Sequence, residues 1–481
     1  MNRTTENETK DPYRLKLHLT PPAGWLNDPN GLCQYHGTYH AFYQYVPENA
    51  LGKGRKCWGH AVSSDLIHWK DEGIFLEPDR PFDRDGVYSG CAWTDENGIH
   101  LFYTGNVKEE GDYDYIHEGR QAAQVLVETK DGSRAGEKRL LLTNDDYPKD
   151  CTLHVRDPKV WKENGRYHMV LGARKNSGQG AVLLYESADM ETWEYVGEMT
   201  TKNPFGYMWE CPDFFEMEDA AFLSICPQGL PRGEFQNQNV YQSGYVHLKE
   251  GIAKPQIVEA EAFTEWDKGF DFYAPQTFTD EQGRRILIGW MGLPDIEGEY
   301  SNPTVGDGWQ HALTLPREIT YEAGRLCQRP VEELKRLRRN EREVKTGENS
   351  VLSEGIYEVE IDKIEINQKE INQKDINQKD INGMEPASCR ICFNQDLVLD
   401  YKDGVFSMKF LNRTGAGRTV RRAEINSLED IRIIMDTSAI EVYVNQGGTV
   451  FTSRYYPASG ESRVVIDCEK SRIRLWDLES V

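Results

Sequence analysis

A short unit recurs along the first two thirds of the chain: a turn carrying Gly or acidic residues, then an apolar run that closes on small residues. It occupies His36–Tyr43, Asn97–Gly105, Asn164–Gly172, Glu218–Ser224 and Gln282–Trp290. Each copy reads as strand, turn, strand, and successive copies lie roughly 50 to 70 residues apart, the scale of propeller blades and repeat arrays. Five blades of about four strands would fill residues 14 to 320. A β-sandwich with irregular spacing is the alternative that the pattern alone leaves open. Helix-length amphipathic patterns are scarce, so the chain is expected to be all-β.

The character changes after Leu315-Pro316-Arg317-Glu318. Residues 321–349 read as a linker, with a short helix plausible over the charged, leucine-bearing stretch Glu332 to Arg342. From residue 350 to 481 alternating strands resume, as in Ile440-Glu441-Val442-Tyr443-Val444, which predicts a β-sandwich. Within it, residues 365–383 repeat Ile-Asn-Gln-Lys with a five-residue period. That period matches neither strand nor helix, so the isoleucines cannot share a face, and the stretch reads as a surface insertion without chemistry.

Composition narrows the partners. Lys plus Arg number 56 against 79 Asp plus Glu, a formal charge of −23, which opposes nucleic acid and anionic membrane. No apolar run approaches the roughly 20 residues of a membrane helix, and Met1 to Asp11 is polar and charged. A cytoplasmic chain acting on a neutral small molecule is the expectation. The ten cysteines are scattered rather than framed for disulfides, and the lone Cys389-x-x-Cys392 has no partner pair for zinc. No phosphate loop or serine triad order is present, so neither metal nor cofactor is implied. Nothing in the sequence speaks to oligomeric state.

Chemistry concentrates at one position of the repeat. Trp25-Leu26-Asn27-Asp28-Pro29-Asn30-Gly31 precedes the first hairpin, Arg156-Asp157-Pro158 the third and Trp209-Glu210-Cys211-Pro212 the fourth. Tyr88-Ser89-Gly90 and Phe272-Tyr273-Ala274 hold the equivalent places in the second and fifth. A propeller brings equivalent positions round one axis, so three acids distant in sequence would converge on a funnel rimmed by aromatic and hydroxyl groups. Such a site suits a sugar: carboxylates protonate, attack and bind hydroxyls, and aromatic rings stack on C–H faces. Spacing alone does not say which acid does which task.

At these residues the chain resembles glycoside hydrolase family 32, the invertases, sucrose-6-phosphate hydrolases, inulinases and levanases. The likeness extends through Gly308 to Glu318 and to Phe451-Thr452-Ser453-Arg454. It implies a five-bladed β-propeller followed by a C-terminal β-sandwich, and a retaining glycosidase acting on a fructoside such as sucrose, sucrose 6-phosphate or a short fructooligosaccharide. It further implies Asp28 as nucleophile on the anomeric C2, Glu210 as acid and then base, and Asp157 as the holder of fructose hydroxyls. Retention calls for acid and nucleophile about 5–5.5 Å apart. Asn27, Gln44, Trp58, Ser89, Arg156 and Tyr273 are the candidate substrate-binding residues. Fructosyl transfer on the same site, or sugar binding without catalysis, are the rival readings. A phosphate on the leaving sugar would need cations nearby, for which Lys53, Arg55 and Lys56 are candidates, a solvated loop being their plainer reading.

Overall fold

The structure, a computed structural model, describes residues 11–249, 251, 254–352, 355–365, 388–457, 462–468 and 470–481. Five mainly antiparallel sheets follow one another along the chain and form the blades of a propeller; two six-stranded sheets then form a sandwich. The innermost strands of the blades are Gly24–Tyr35, Val87–Asp95, Cys151–Glu163, Met208–Met217 and Tyr273–Thr279. The recurrent hairpins join each of these to the next strand outward.

The apolar runs in the second strands follow from the stacking of blades. In the third blade Met169 and Leu171 pack into a core shared with Phe102 and Leu126 of the second blade. Val170, between them in sequence, packs on the opposite side with Leu223 and Ile225 of the fourth. Side chains alternate across a strand, so a sheet covered on both faces must be apolar at consecutive positions. The small residues that end each run have an equally local cause. A Cβ on Gly172 would sit 2.2 Å from the carbonyl oxygen of Trp209, and one on Gly105 2.5 Å from that of Phe82. These glycines lie where one blade touches backbone of another segment, and the Gly172 contact adjoins Glu210.

The ring closes through a two-residue strand, Trp309–Gln310, which pairs in parallel with Gly24–Trp25 of the first blade. The fifth blade runs past the expected boundary at 320, because its outer strand is Arg325–Pro330, paired with Arg317–Glu322. The expected linker of 321–349 is correspondingly shorter. A 3-10 turn over Glu332–Leu337 buries Leu334 and Leu337, and Arg338–Val344 already pairs with Arg472–Leu478 at the edge of a sandwich sheet. The sandwich core is filled by residues such as Phe393, Leu397, Ile433, Val442 and Phe451, each contributing roughly 1.5–3 kcal/mol by burial. Cys389 and Cys392 lie on one strand of it. Of the repetitive insertion, residues 366–383 lie outside the described residues, between strands Tyr357–Asp362 and Cys389–Phe393. Among the described residues no helix is long and apolar enough to cross a membrane.

Candidate active site

Every innermost strand breaks register at the same level. Asn27-Asp28 stand opposite Gln44, Tyr88-Ser89 opposite Thr104, and Asp157-Pro158 opposite Leu171, while Cys211-Pro212 and Ala274-Pro275 follow suit in the last two blades. Two residues against one is a β-bulge, which bends the strand and re-aims its side chains. Asp157, Cys211 and Ala274 adopt φ of +64°, +46° and +46°, and the proline after each lacks the N–H that a regular ladder would require. The five bulges therefore turn five segments toward the propeller axis at one depth.

The acids occupy two hydrogen-bonded groups on this ring. Ser89 Oγ donates to Oδ2 of Asp28, and Asn27 Nδ2 to its Oδ1 at 3.1 Å. Asn27 is fixed in turn by Gln44 Oε1 at 2.6 Å and Trp25 Nε1 at 2.8 Å, and Gln44 reaches Ser89 at 2.9 Å. On the second group, Arg156 donates to Oε1 of Glu210 through Nη2 at 2.6 Å and Nε at 3.2 Å. Oε2 of Glu210 accepts from Tyr273 at 2.6 Å and Gln228 at 2.7 Å. Asp157 lies between, accepting the Cys211 backbone N–H at 2.9 Å, and its own N–H donates to Thr104. The Cys211 sulfur ties the groups together, 3.9 Å from Asp28 Oδ2 and 3.7 Å from Asp157 Oδ2.

Crowding three carboxylates into a shielded funnel has electrostatic consequences. Burial pushes Asp28 above the ordinary carboxylate range against the pull of Ser89 and Asn27. Burial also carries Asp157 up to about 7, opposed by Arg156 and assisted by Glu210 and Asp28. Arg156 is itself raised: burial works against its charge, but Glu210 and Asp157 outweigh it. Lys56 approaches Asn27 Oδ1 at 3.3 Å, and burial draws its ammonium down to about 8 while Asp28 supports the charge.

The three acids and the six candidate substrate-binding residues thus meet here, with one difference of position, whereas Lys53 and Arg55 are exposed. Trp58 has no exposed surface: its ring packs with Phe42 and Tyr103, and its Nε1 donates to the Tyr88 carbonyl at 3.0 Å. It braces the Tyr88-Ser89 bulge from behind. Gln228 and His311 escaped sequence reasoning. Gln228 is brought beside Glu210 only by hairpin register, in which it faces Met208. His311 stands edge-on between Trp25 at 4.4 Å and Trp290 at 4.9 Å, and no periodic signal marks it.

Family models agree with this architecture. Residues 18–330 match the glycosyl hydrolases family 32 N-terminal domain and residues 393–476 the glycosyl hydrolases family 32 C-terminal domain. The chain belongs to glycosyl hydrolase family 32. Members similar to it include a sucrose-6-phosphate hydrolase of Bacillus subtilis, 37% identical over 97% of this chain and 95% of that protein. A raffinose invertase of Escherichia coli is 36% identical over 92% of this chain and 89% of its own. Among solved structures of the family, a sucrose-6-phosphate hydrolase from Lactobacillus gasseri superposes with a TM-score of 0.82 at 29% identity, covering 98% and 94% of the two chains. A Bombyx mori β-fructofuranosidase variant in complex with sucrose gives 0.79 at 27% identity, covering 98% of this chain and 94% of that one. Like the other members of family 32, this chain is a glycosidase.

Proposed function

We propose that the chain hydrolyses the terminal β-D-fructofuranosyl bond of sucrose or sucrose 6-phosphate by double displacement. Asp28 attacks C2 of the fructosyl unit while Glu210 passes its proton to the departing oxygen, breaking the C2–O bond. Glu210 then takes a proton from water, whose oxygen displaces Asp28 from C2 and regenerates the enzyme. Asp157 accepts hydrogen bonds from ring hydroxyls that strengthen as positive charge grows at C2. The supporting observation is the division of donors: Ser89 and Asn27 converge on Asp28, whereas Arg156, Tyr273 and Gln228 converge on Glu210 across the same ring of bulges. Ser89 and Asn27 hold Asp28 in place for attack, and the donors around Glu210 fix its orientation for proton exchange.

The named activities of the relatives support the substrate class. The cytoplasm belongs to the same proposal, since all ten cysteines are free thiols and a reducing compartment keeps them so. The deciding experiment incubates the chain with sucrose, sucrose 6-phosphate and kestose and measures free fructose against transfer products. Equal or greater yield of oligosaccharide at moderate sugar concentration would replace hydrolysis by transfer, and a methanol acceptor yielding the α-fructoside would refute retention.

A further inference from the structure

Beside Glu210, on the rim between the second and third blades, lies a group of cations that the chemistry above does not use. Strands Gly98–Lys108 and Arg120–Thr129 place Lys108 and Arg120 directly opposite each other at the end of the ladder nearest the bulges. Like charges across a strand pair repel, and the nearby Asp85 carboxylate accepts the Lys108 backbone N–H at 2.8 Å and lies 3.5 Å from Arg84. Among the described residues neither side chain has an ion-pair partner, and Nε of Arg120 is buried without a hydrogen-bond acceptor. The neighbouring Glu109 is already engaged by Arg84 at 2.7 Å and Gln121 at 2.9 Å. Lys108 stands over the Tyr115 ring at 5.5 Å, and the Tyr115 carbonyl is held by His154, which also contacts Arg156 at 2.8 Å. Arg174, stacked 4.7 Å over Tyr207, adds a further cation on the next blade.

Unpaired cations gathered in a chain of net charge −23 need a reason. Burial, with Arg156 next in weight, pulls Arg120 below its ordinary value, and burial with Arg156 and Arg120 keeps His154 well below its own. The geometry points to an anion subsite, built on Arg120 and Lys108, that takes a phosphate monoester carried on the leaving sugar. The assignment rests on the fructoside-hydrolase reading, in which Glu210 protonates the oxygen of that sugar. Tyr115 under Lys108 is joined through His154 and Arg156 to Glu210, which sets the cations on the leaving-group side. A planar guanidinium fork beside an ammonium matches a tetrahedral dianion better than a neutral hydroxyl. Lys53 and Arg55 are solvated, and Lys56 is committed to Asn27, so the loop expected from sequence to hold a phosphate is not the one assigned.

The test compares kcat/KM for sucrose and sucrose 6-phosphate in the full chain, in Arg120→Gln and in Lys108→Gln. The full chain should favour the phosphorylated sugar, and Arg120→Gln should cut that preference by about 10- to 100-fold, the worth of one charge-assisted hydrogen bond. Lys108→Gln, at an exposed position, should cut it in the same sense by a smaller factor. Glucose 6-phosphate should inhibit the full chain better than glucose, an advantage both variants lose and added salt weakens. An unchanged preference in both variants, with both sugars cleaved, would overturn the subsite and leave the hydrolase reading intact. Inhibition by inorganic phosphate as strong as by glucose 6-phosphate would overturn it in favour of a free-phosphate site. Cleavage of neither sugar by the full chain would refute both readings.

Discussion

Asp157 shows at the scale of one residue how the site trades stability for charge. Its carboxyl is carried to about 7 in the fold, well above the ~3.9 of an unfolded chain. A raised carboxyl favours the folded state while protonated, and that contribution disappears as pH rises through about 7. Asp157→Asn should therefore stabilise the protein at pH 8 by roughly 2–4 kcal/mol, with the gain shrinking below pH 6. Asparagine tolerates the positive φ at this position and can still accept the Cys211 N–H, while activity should fall. Denaturant melts at the two pH values check both signs. Glu210 invites a different measurement. Glu210→Gln should lower kcat/KM on sucrose by about 10²–10⁴, yet spare kcat/KM, which reports the first displacement, for a fructoside whose leaving group departs without a proton. Equal losses on both substrates would argue against an acid role.

Among elements, the bulged inner strand is the working unit of this fold. Its sequence mark is the X-Pro pair in Asp157-Pro158, Cys211-Pro212 and Ala274-Pro275, and its structural mark is the positive φ before each proline. The blade-to-blade contact at Gly172 sets the height of the fourth strand beside Glu210. Gly172→Ala should push that strand outward, costing roughly 1–3 kcal/mol of stability by overpacking. Because a site tolerates little misplacement, kcat/KM should fall by about 10²-fold. Loss of stability with kcat/KM unaffected would show that the contact serves packing alone. These glycines were visible in the sequence as the small residues ending each apolar run. Gln228 was not, because its place opposite Met208 depends on a register that residue types alone do not set.

For the whole molecule, the seam between propeller and sandwich is ionic and buried. Arg317 of the fifth blade pairs with Glu441 of the sandwich at 2.8 Å and with Asp267 at 3.2 Å, all three fully buried. His18, before the first blade, bridges Asp436 at 2.7 Å and Glu441 at 3.1 Å. Burial disfavours the imidazolium, but the two carboxylates prevail and raise it to about 9. Its contribution, on the order of 3 kcal/mol, is complete below about pH 6.5 and lost as pH climbs through about 9. Thermal unfolding should thus weaken across that window, and His18→Gln should flatten the slope. Glu441→Gln, leaving Arg317 half-paired in the interior, should cost about 3–5 kcal/mol, read as a lowered melting temperature in both domains together. Asp271 and Arg418 form a second such link at 2.6 Å. The family-like stretch around Thr452 and the alternating strand around Glu441 are therefore the ones that meet the propeller.

By itself the sequence determined the number of repeats, the all-β character and the acids at matching blade positions, because alternation and spacing are properties of the chain read in order. Only the tertiary structure decided which partners those acids acquired, where the cations gathered, and that residues 325–330 finish the fifth blade. Those outcomes depend on register and on the closure of a ring, where one residue's neighbour lies dozens to hundreds of positions away and its charge is felt through a shielded interior.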